Sequence, residues 1–247
     1  LVTGGAGFIG SHLVRRLLDD ATSVTIVDDL STGRRANVAD LLDGPDAKVE
    51  LIEATVPDAL AGPLRDRERF AEIYHLAAAV GVDYVMNDPI RAIEVNVELA
   101  APLLRYASEH GAPPVFFASS SEVYGTPAGE LFREADALAY GPTVTRRWSY
   151  ALGKALDEHL ALAYHESGKC PTVVARFFNT VGPRQLGTHG MVLPRFVRSA
   201  IAGEPLRVFG DGAQSRCFCD VRDVVEAVPK LVRTPACHGR VFNLGSD

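Results

Sequence analysis

The first ten residues restrict the fold more than any other stretch. Leu1-Val2-Thr3 reads as the end of a buried strand, Gly4-Gly5-Ala6-Gly7-Phe8-Ile9-Gly10 as a glycine turn, and Ser11 to Asp20 as a helix. Gly4, Gly7 and Gly10 permit a tight turn, close approach of backbone to a pyrophosphate, and close packing of helix on strand. A second strand, Ser23 to Val27, ends in Asp28-Asp29. Asp28 stands eighteen residues beyond Gly10, where a carboxylate accepts both ribose hydroxyls of an adenosine. Strand, glycines, helix, strand and acid in this order predict a dinucleotide-binding unit. The acid favours NAD over NADP, because a 2′-phosphate would meet its charge; Arg34 and Arg35, close behind, soften that preference.

Further buried strands are expected at Lys48 to Ile52, Ile73 to Leu76, Val115 to Ala118, Thr172 to Phe177 and Val241 to Leu244, alternating with helical patterns. That alternation predicts an α/β protein with a doubly wound parallel sheet of Rossmann type. His75-Leu76-Ala77-Ala78-Ala79 ends one strand in small residues, as a backbone passing beside a cofactor requires; His75 itself reads as structural. Residues 90–108 carry one apolar stripe at helical spacing, Ile90, Ile93, Val97, Ala100, Leu104 and Ala107, which Asn96 interrupts. For Asn96, a packing role and a polar link to the active-site helix stand side by side.

Two stretches carry the chemistry. Ser119-Ser120-Ser121-Glu122-Val123-Tyr124-Gly125 follows a buried strand, at the carboxyl end where open parallel sheets place their active sites. Tyr150 and Lys154 lie four residues apart in a helical run, so they share one face. A free phenol titrates near pH ~10 and is a poor base at neutral pH. An ammonium within a few ångströms, and a bound cationic nicotinamide, both favour the phenolate. Ser120 then hydrogen-bonds the substrate hydroxyl that Tyr150 deprotonates while hydride leaves its carbon. The helix from Tyr150 to Glu166 is apolar nearly all round, which predicts burial against a second subunit together with the 90–108 helix, in a homodimer.

After Phe178 the chain turns to a Gly- and Pro-punctuated region with a helix over Met191 to Ala202 and a strand over Pro205 to Phe209. We divide the chain at residues 1–177, an NAD-binding domain, and 178–247, a smaller lobe whose residues 216–228 pack back on the first. A net charge of −6 argues against a nucleic-acid surface, and no apolar run is long enough to span a membrane. Four sparse cysteines without zinc or redox spacing read as reduced thiols of a cytoplasmic protein, and no metal site is expected.

The motifs occur as an ordered set: the Gly4–Gly10 loop, Asp28-Asp29-Leu-Ser-Thr-Gly33, His75-Leu-Ala-Ala, Ser119 to Gly125, Tyr150-x-x-x-Lys154, Phe178-Asn179-Thr-Val-Gly-Pro-Arg184, Gly203-Glu-Pro205 and Gly210-Asp-Gly-x-Gln214-x-Arg216. Together they resemble the extended short-chain dehydrogenase/reductase family, in its nucleotide-sugar branch. The resemblance implies NAD held by Gly4, Gly7, Phe8, Ile9, Gly10, Asp28, Leu76, Ala77, Ala78, Asn96, Tyr150 and Lys154. It implies a nucleoside-diphosphate sugar contacted by Ser121, Asn179, Arg184 and Arg216. Catalysis falls to Tyr150, Lys154, Ser120 and Glu122. Two departures stand out: the family's first strand starts earlier and its substrate lobe runs further, so the chain reads as incomplete. Thr55 also stands near the position where the family places an aspartate against adenine.

Ser121 replaces the aspartate with which 4,6-dehydratases protonate a leaving hydroxyl. The serine cluster is similar to that of UDP-glucuronate decarboxylases, whose 4-keto intermediate is a β-keto acid that loses CO2. There Glu122 helps position the carboxylate partly by repulsion, and Arg216 or a water assists reprotonation; the product is UDP-xylose or the 4-keto-pentose. The alternative is a nucleotide-sugar 4-epimerase, which shares Ser120, Tyr150 and Lys154. A non-catalytic NAD-binding protein is the distant third, although it would be expected to lack Tyr150 or Lys154.

Overall fold

A computed structural model describes residues 1–20, 23–43, 47–67, 69–78, 88–126, 131–186 and 191–246. Ala79, expected in the small-residue run, lies outside them. The main sheet has seven parallel strands: β1 (Val2–Thr3), β2 (Val24–Asp28), β3 (Val49–Glu53), β4 (Ile73–His75), β5 (Val115–Ser120), β6 (Thr172–Phe177) and β9 (Arg240–Leu244). They lie side by side in the order β3-β2-β1-β4-β5-β6-β9. A small sheet pairs β7 (Thr180–Val181) with β8 (Cys219–Asp220). The strands are Val- and Phe-rich because both faces are covered: Val2, Ile26, Tyr74, Phe116 and Val173 pack in one apolar cluster, and Val27, Ile73, Val115, Phe117 and Val174 in another.

Strand order reverses between β1 and β4, and at such a switch point the crevice beyond the strand ends receives a ligand. The glycine turn leads from β1 into α1 (Phe8–Leu18). The short helices α2 (Ala39–Leu42) and α3 (Val56–Ala61) flank β3.

The single helix expected over 90–108 is two helices, α4 (Pro89–Glu98) and α5 (Ala100–Glu109), broken at Leu99. Pro102 explains the break. It has no N–H for the Glu98 carbonyl and its ring crowds that oxygen, whereas in the first turn of a new helix it is tolerated. The expected stripe splits accordingly. Ala100, Leu104 and Ala107 are buried, while Ile90, Ile93 and Val97 are exposed, Ile90 at 70%.

The helix that carries Tyr150 and Lys154, α6, runs from Trp148 to Glu166 and packs on α4, α5, β5 and β6. Helix α7 (Val192–Ala202) follows expectation, but Pro205–Phe209 forms no ladder. The boundary expected after residue 177 is crossed again near the end of the chain. Helix α8 (Val221–Arg233) packs on α1, and β9 pairs with β6 in the main sheet.

Candidate active site

The turn after β1 is a cradle of backbone. A Cβ on Gly10 would lie 2.1 Å from the Gly4 carbonyl oxygen, and one on Gly4, whose φ is +73°, would lie 2.7 Å from the Ala77 nitrogen. Gly7 caps α1 without any side-chain hydrogen bond, so the helix presents the N–H groups of its first turn, where an anion is stabilised. Asp28 is buried at the end of β2 and accepts from the Ala6 and Leu30 amides at 2.9 Å each. Its pKa is nevertheless raised, chiefly by burial. Gly33 is essential beside it, since a Cβ there would sit 2.6 Å from Asp28 Oδ1.

Leu76 and Ala77 pass directly against this turn. The Leu76 amide donates to the Thr3 carbonyl, and the Ala77 amide to Thr3 Oγ1. Thr3 Oγ1 also lies 2.8 Å from His75 Nδ1, and His75 is fully enclosed. Burial and the charge of Lys154 push the imidazole down to about 3, so it stays neutral, a structural histidine rather than a base.

The serine cluster divides by strand alternation. Ser119 points into the core and donates to Glu158 Oε1 on α6 at 2.5 Å. Ser120 is partly exposed on the opposite face and accepts the Glu122 amide at 3.2 Å, so its own hydroxyl proton is free to be donated elsewhere. A 3₁₀ turn over Ser121–Tyr124 carries Ser121, half-buried, and Glu122, exposed, toward α6.

Tyr150 stands in the first turn of α6. Burial of its phenol is the largest influence and raises its pKa; hydrogen bonding with Ser120 opposes this, and the charges of Glu122 and Asp157 add to it. Ser120, Tyr150 and Glu122 therefore form one constellation. Lys154, one turn on, is only 3% exposed and pairs with Asp157 at 3.3 Å. Asn96 is buried on α4 and packs against Gly153, where a Cβ would approach Asn96 Cβ to 3.3 Å. Small Gly153 thus lets α4 lie close behind the Tyr150–Lys154 face.

The remaining expected residues are more dispersed. Asn179 donates to the Cys217 carbonyl at 2.9 Å, joining the roots of the second lobe. Arg216 is exposed and bonds to its neighbour's carbonyl. Arg184, expected beside the sugar nucleotide, lies near Arg15 of α1. One of its guanidinium nitrogens is buried without a hydrogen-bond partner among the described residues. The adjoining Pro183 carbonyl lies 2.9 Å from His12 Nε2 on α1. Thr55 is committed to capping α3, exchanging hydrogen bonds with Asp58.

Compared with known proteins, residues 1–245 match the family described as NAD dependent epimerase/dehydratase. The chain belongs to that family. The "UDP-N-acetyl-alpha-D-glucosaminuronate decarboxylase" of Bacillus cytotoxicus is 39% identical over all of this chain and 74% of its own length. "UDP-glucuronic acid decarboxylase 1" of Arabidopsis thaliana is 35% identical over the whole chain, which spans 54% of that protein. Among solved structures, a UDP-glucuronic acid 4-epimerase from Bacillus cereus, in complex with UDP-glucuronic acid and NAD, superposes with a TM-score of 0.85 at 28% identity, over all of this chain and 77% of that one.

The cofactor of this epimerase/dehydratase family is NAD, and the residues present fit it. The glycine cradle and uncapped α1 suit a pyrophosphate, the orphaned Arg184 nitrogen suits an anion beside α1, and Asp28 suits a ribose diol. Two residues that sequence reasoning passed over contact residues of the candidate site: Arg147, whose Nη2 lies 3.4 Å from Glu122 Oε2, and Glu158, which accepts from Ser119 beside Ser120. Glu158 was legible in principle, as an acid four residues beyond Lys154 on the same helix face.

Proposed function

We propose that this protein catalyses the NAD-dependent decarboxylation of a UDP-linked hexuronate, UDP-glucuronate first among them. The observation that carries the reading is Glu122, held on a turn that also carries Ser120 and Ser121 and packs against the helix of Tyr150. The names of the relatives support it, since both act on UDP-linked uronates and differ at the N-acetyl group.

NAD, which the glycine cradle, the first turn of α1 and Asp28 would hold, would supply the acceptor for hydride from the sugar's C4. The chain's own residues do the rest. Tyr150 removes the C4 hydroxyl proton, and Ser120, with its proton available, holds the same oxygen. Lys154 stands one turn on along the same helix with its ammonium paired to Asp157, and burial rather than that ammonium dominates the phenol, whose pKa is raised and not lowered as the spacing predicts. The resulting 4-ketone stands β to the carboxylate, so the bond to the carboxyl carbon breaks with its electrons delocalised into the ketone, and CO2 leaves. Glu122 helps to position the carboxylate for that loss, partly by repulsion.

Residues 1–177 hold the dinucleotide in this reading, and 178–247 supply the sugar-nucleotide lobe, with α8 and β9 returning to the sheet. Asn179 and Arg216 face the sugar nucleotide, and Arg184 an anionic group over α1. Ile90, Ile93 and Val97 on α4 and Leu152 and Leu156 on α6 are exposed apolar side chains on two helices packed together. They form the face of a homodimer. A reducing compartment, the cytoplasm, fits four free cysteines. Among the described residues no helix is long and apolar enough to cross a membrane.

The test is incubation with UDP-glucuronate and NAD, followed by mass spectrometry. Loss of the mass of CO2 is expected, and the product mass separates UDP-xylose from the 4-keto-pentose. The likeness to a UDP-glucuronic acid 4-epimerase keeps one rival in view. Conversion to an isomer of unchanged mass would establish that rival and remove the decarboxylase.

A further inference from the structure

We infer that Arg147 selects the anionic sugar: its guanidinium is the counter-charge for the substrate carboxylate beside Glu122. The inference rests on a uronate being the substrate.

Arg147 Nη2 lies 3.4 Å from Glu122 Oε2, and it is the cation paired with that carboxylate among the described residues. Glu122 in turn acts on the Tyr150 phenol, so the pair belongs to the catalytic constellation and not to a remote surface. The arginine is held by stacking, its guanidinium carbon 4.6 Å from the centre of the Trp148 ring. Trp148 is itself buried against Gly141, where a Cβ would lie 2.5 Å from the indole nitrogen. The stem is therefore directed while the charged ends stay open, at 58% exposure for Arg147 and 53% for Glu122.

Helix stability does not explain the residue. Arg147 occupies the N-cap position of the 19-residue α6, with Arg146 before it and no acid in the first turn. The helix dipole disfavours cations there. Substrate chemistry does explain it. A uronate entering beside Glu122 brings a second negative charge into one small volume, and the two carboxylates repel. A guanidinium has five N–H donors in a planar fork, and one long contact to Glu122 leaves most of them available to a carboxylate. Arg147 bridges the two anions, admitting a uronate and giving a neutral hexose nothing comparable.

The experiment compares binding of UDP-glucuronate and UDP-glucose to the full chain, in wild-type form and as Arg147→Met and Arg147→Lys. Methionine keeps an apolar stem against Trp148. We expect Arg147→Met to weaken UDP-glucuronate binding by about 10- to 100-fold, as loss of a charged hydrogen bond does. UDP-glucose and NAD binding should hold, and lysine should restore part of the preference. Equal loss for both sugars, or no loss for either, overturns the role. Wild-type protein that binds UDP-glucuronate no tighter than UDP-glucose overturns it too. A uronate preference that Arg147→Met abolishes, without CO2 release from the wild type, keeps Arg147 in place and removes only the decarboxylase reading.

Discussion

Glu158 and Arg176 meet in the interior as a two-pronged pair, 2.9 Å from Nε to Oε1 and 2.7 Å from Nη2 to Oε2. Both side chains are almost wholly buried, and Ser119 donates to the same carboxylate. The guanidinium carbon of Arg176 also lies 4.6 Å from the centre of the Tyr124 ring, and the Tyr124 hydroxyl donates to Asn243 on β9. One carboxylate thus ties α6 to β5 and β6, one helical turn past Lys154 and one residue before Ser120.

Breaking that pair should be costly. Glu158→Ala or Arg176→Ala leaves a buried charge alone, which costs about 3–5 kcal/mol. Urea unfolding would measure it; a change under about 1 kcal/mol would mean that solvent reaches the pair.

Replacing Tyr150 by Phe should lower turnover by about 10²- to 10⁴-fold, the usual contribution of a general base, while NAD still binds. Turnover and a cofactor titration on the same preparation separate the two effects. Full activity in Tyr150→Phe would transfer the role of base to another group.

The pH profile should report Glu122. Burial, Glu122 and Asp157 raise the Tyr150 pKa, against hydrogen bonding from Ser120. A base with a raised pKa gains activity as pH rises, so kcat/KM of the free enzyme should climb on the acid side of its optimum. Glu122→Gln removes one raising charge, and that limb should move to lower pH. A limb that stays put would separate Glu122 from Tyr150 electrostatically.

His75 makes a stability prediction. Its folded pKa is depressed to about 3, well below the unfolded value near ~6.5. The unfolded chain therefore takes up the proton first. His75 contributes stability fully above pH ~6.5, and the contribution falls by about 1.4 kcal/mol per pH unit as pH drops toward 3. His75→Gln should flatten this part of the stability curve. An unchanged acid slope would assign it to carboxylates.

Ile93→Glu or Leu156→Glu should yield a monomer by light scattering, since each places a charge in the exposed apolar face of α4 and α6. A wild-type protein that is itself monomeric would remove the dimer.

What could be read in the chain beforehand follows from range. The Gly4–Gly10 loop and Asp28 were legible because each answers a local demand, a close backbone approach or a strand-end carboxylate. The unbroken helix over 90–108 failed at Leu99 because apolar spacing outweighed Pro102 in that reading. The strand expected at Pro205–Phe209 failed because no strand among the described residues pairs with it. Arg147 and Glu158 went unread because a charge at or within a helix looks solvated until its distant partner is known, Glu122 twenty-five residues away and Arg176 eighteen.

The pairing of β7 with β8 has a consequence for how this scaffold changes. Thr180 and Val181 lie in register with Cys219 and Asp220, and Asn179 bonds the Cys217 carbonyl, so both roots of the intervening excursion are clasped together. A segment whose ends are already closed can be lengthened or exchanged at little entropic cost to the rest. The excursion is therefore a cassette: residues 182–218 can be rewritten while the seven-stranded sheet keeps its register.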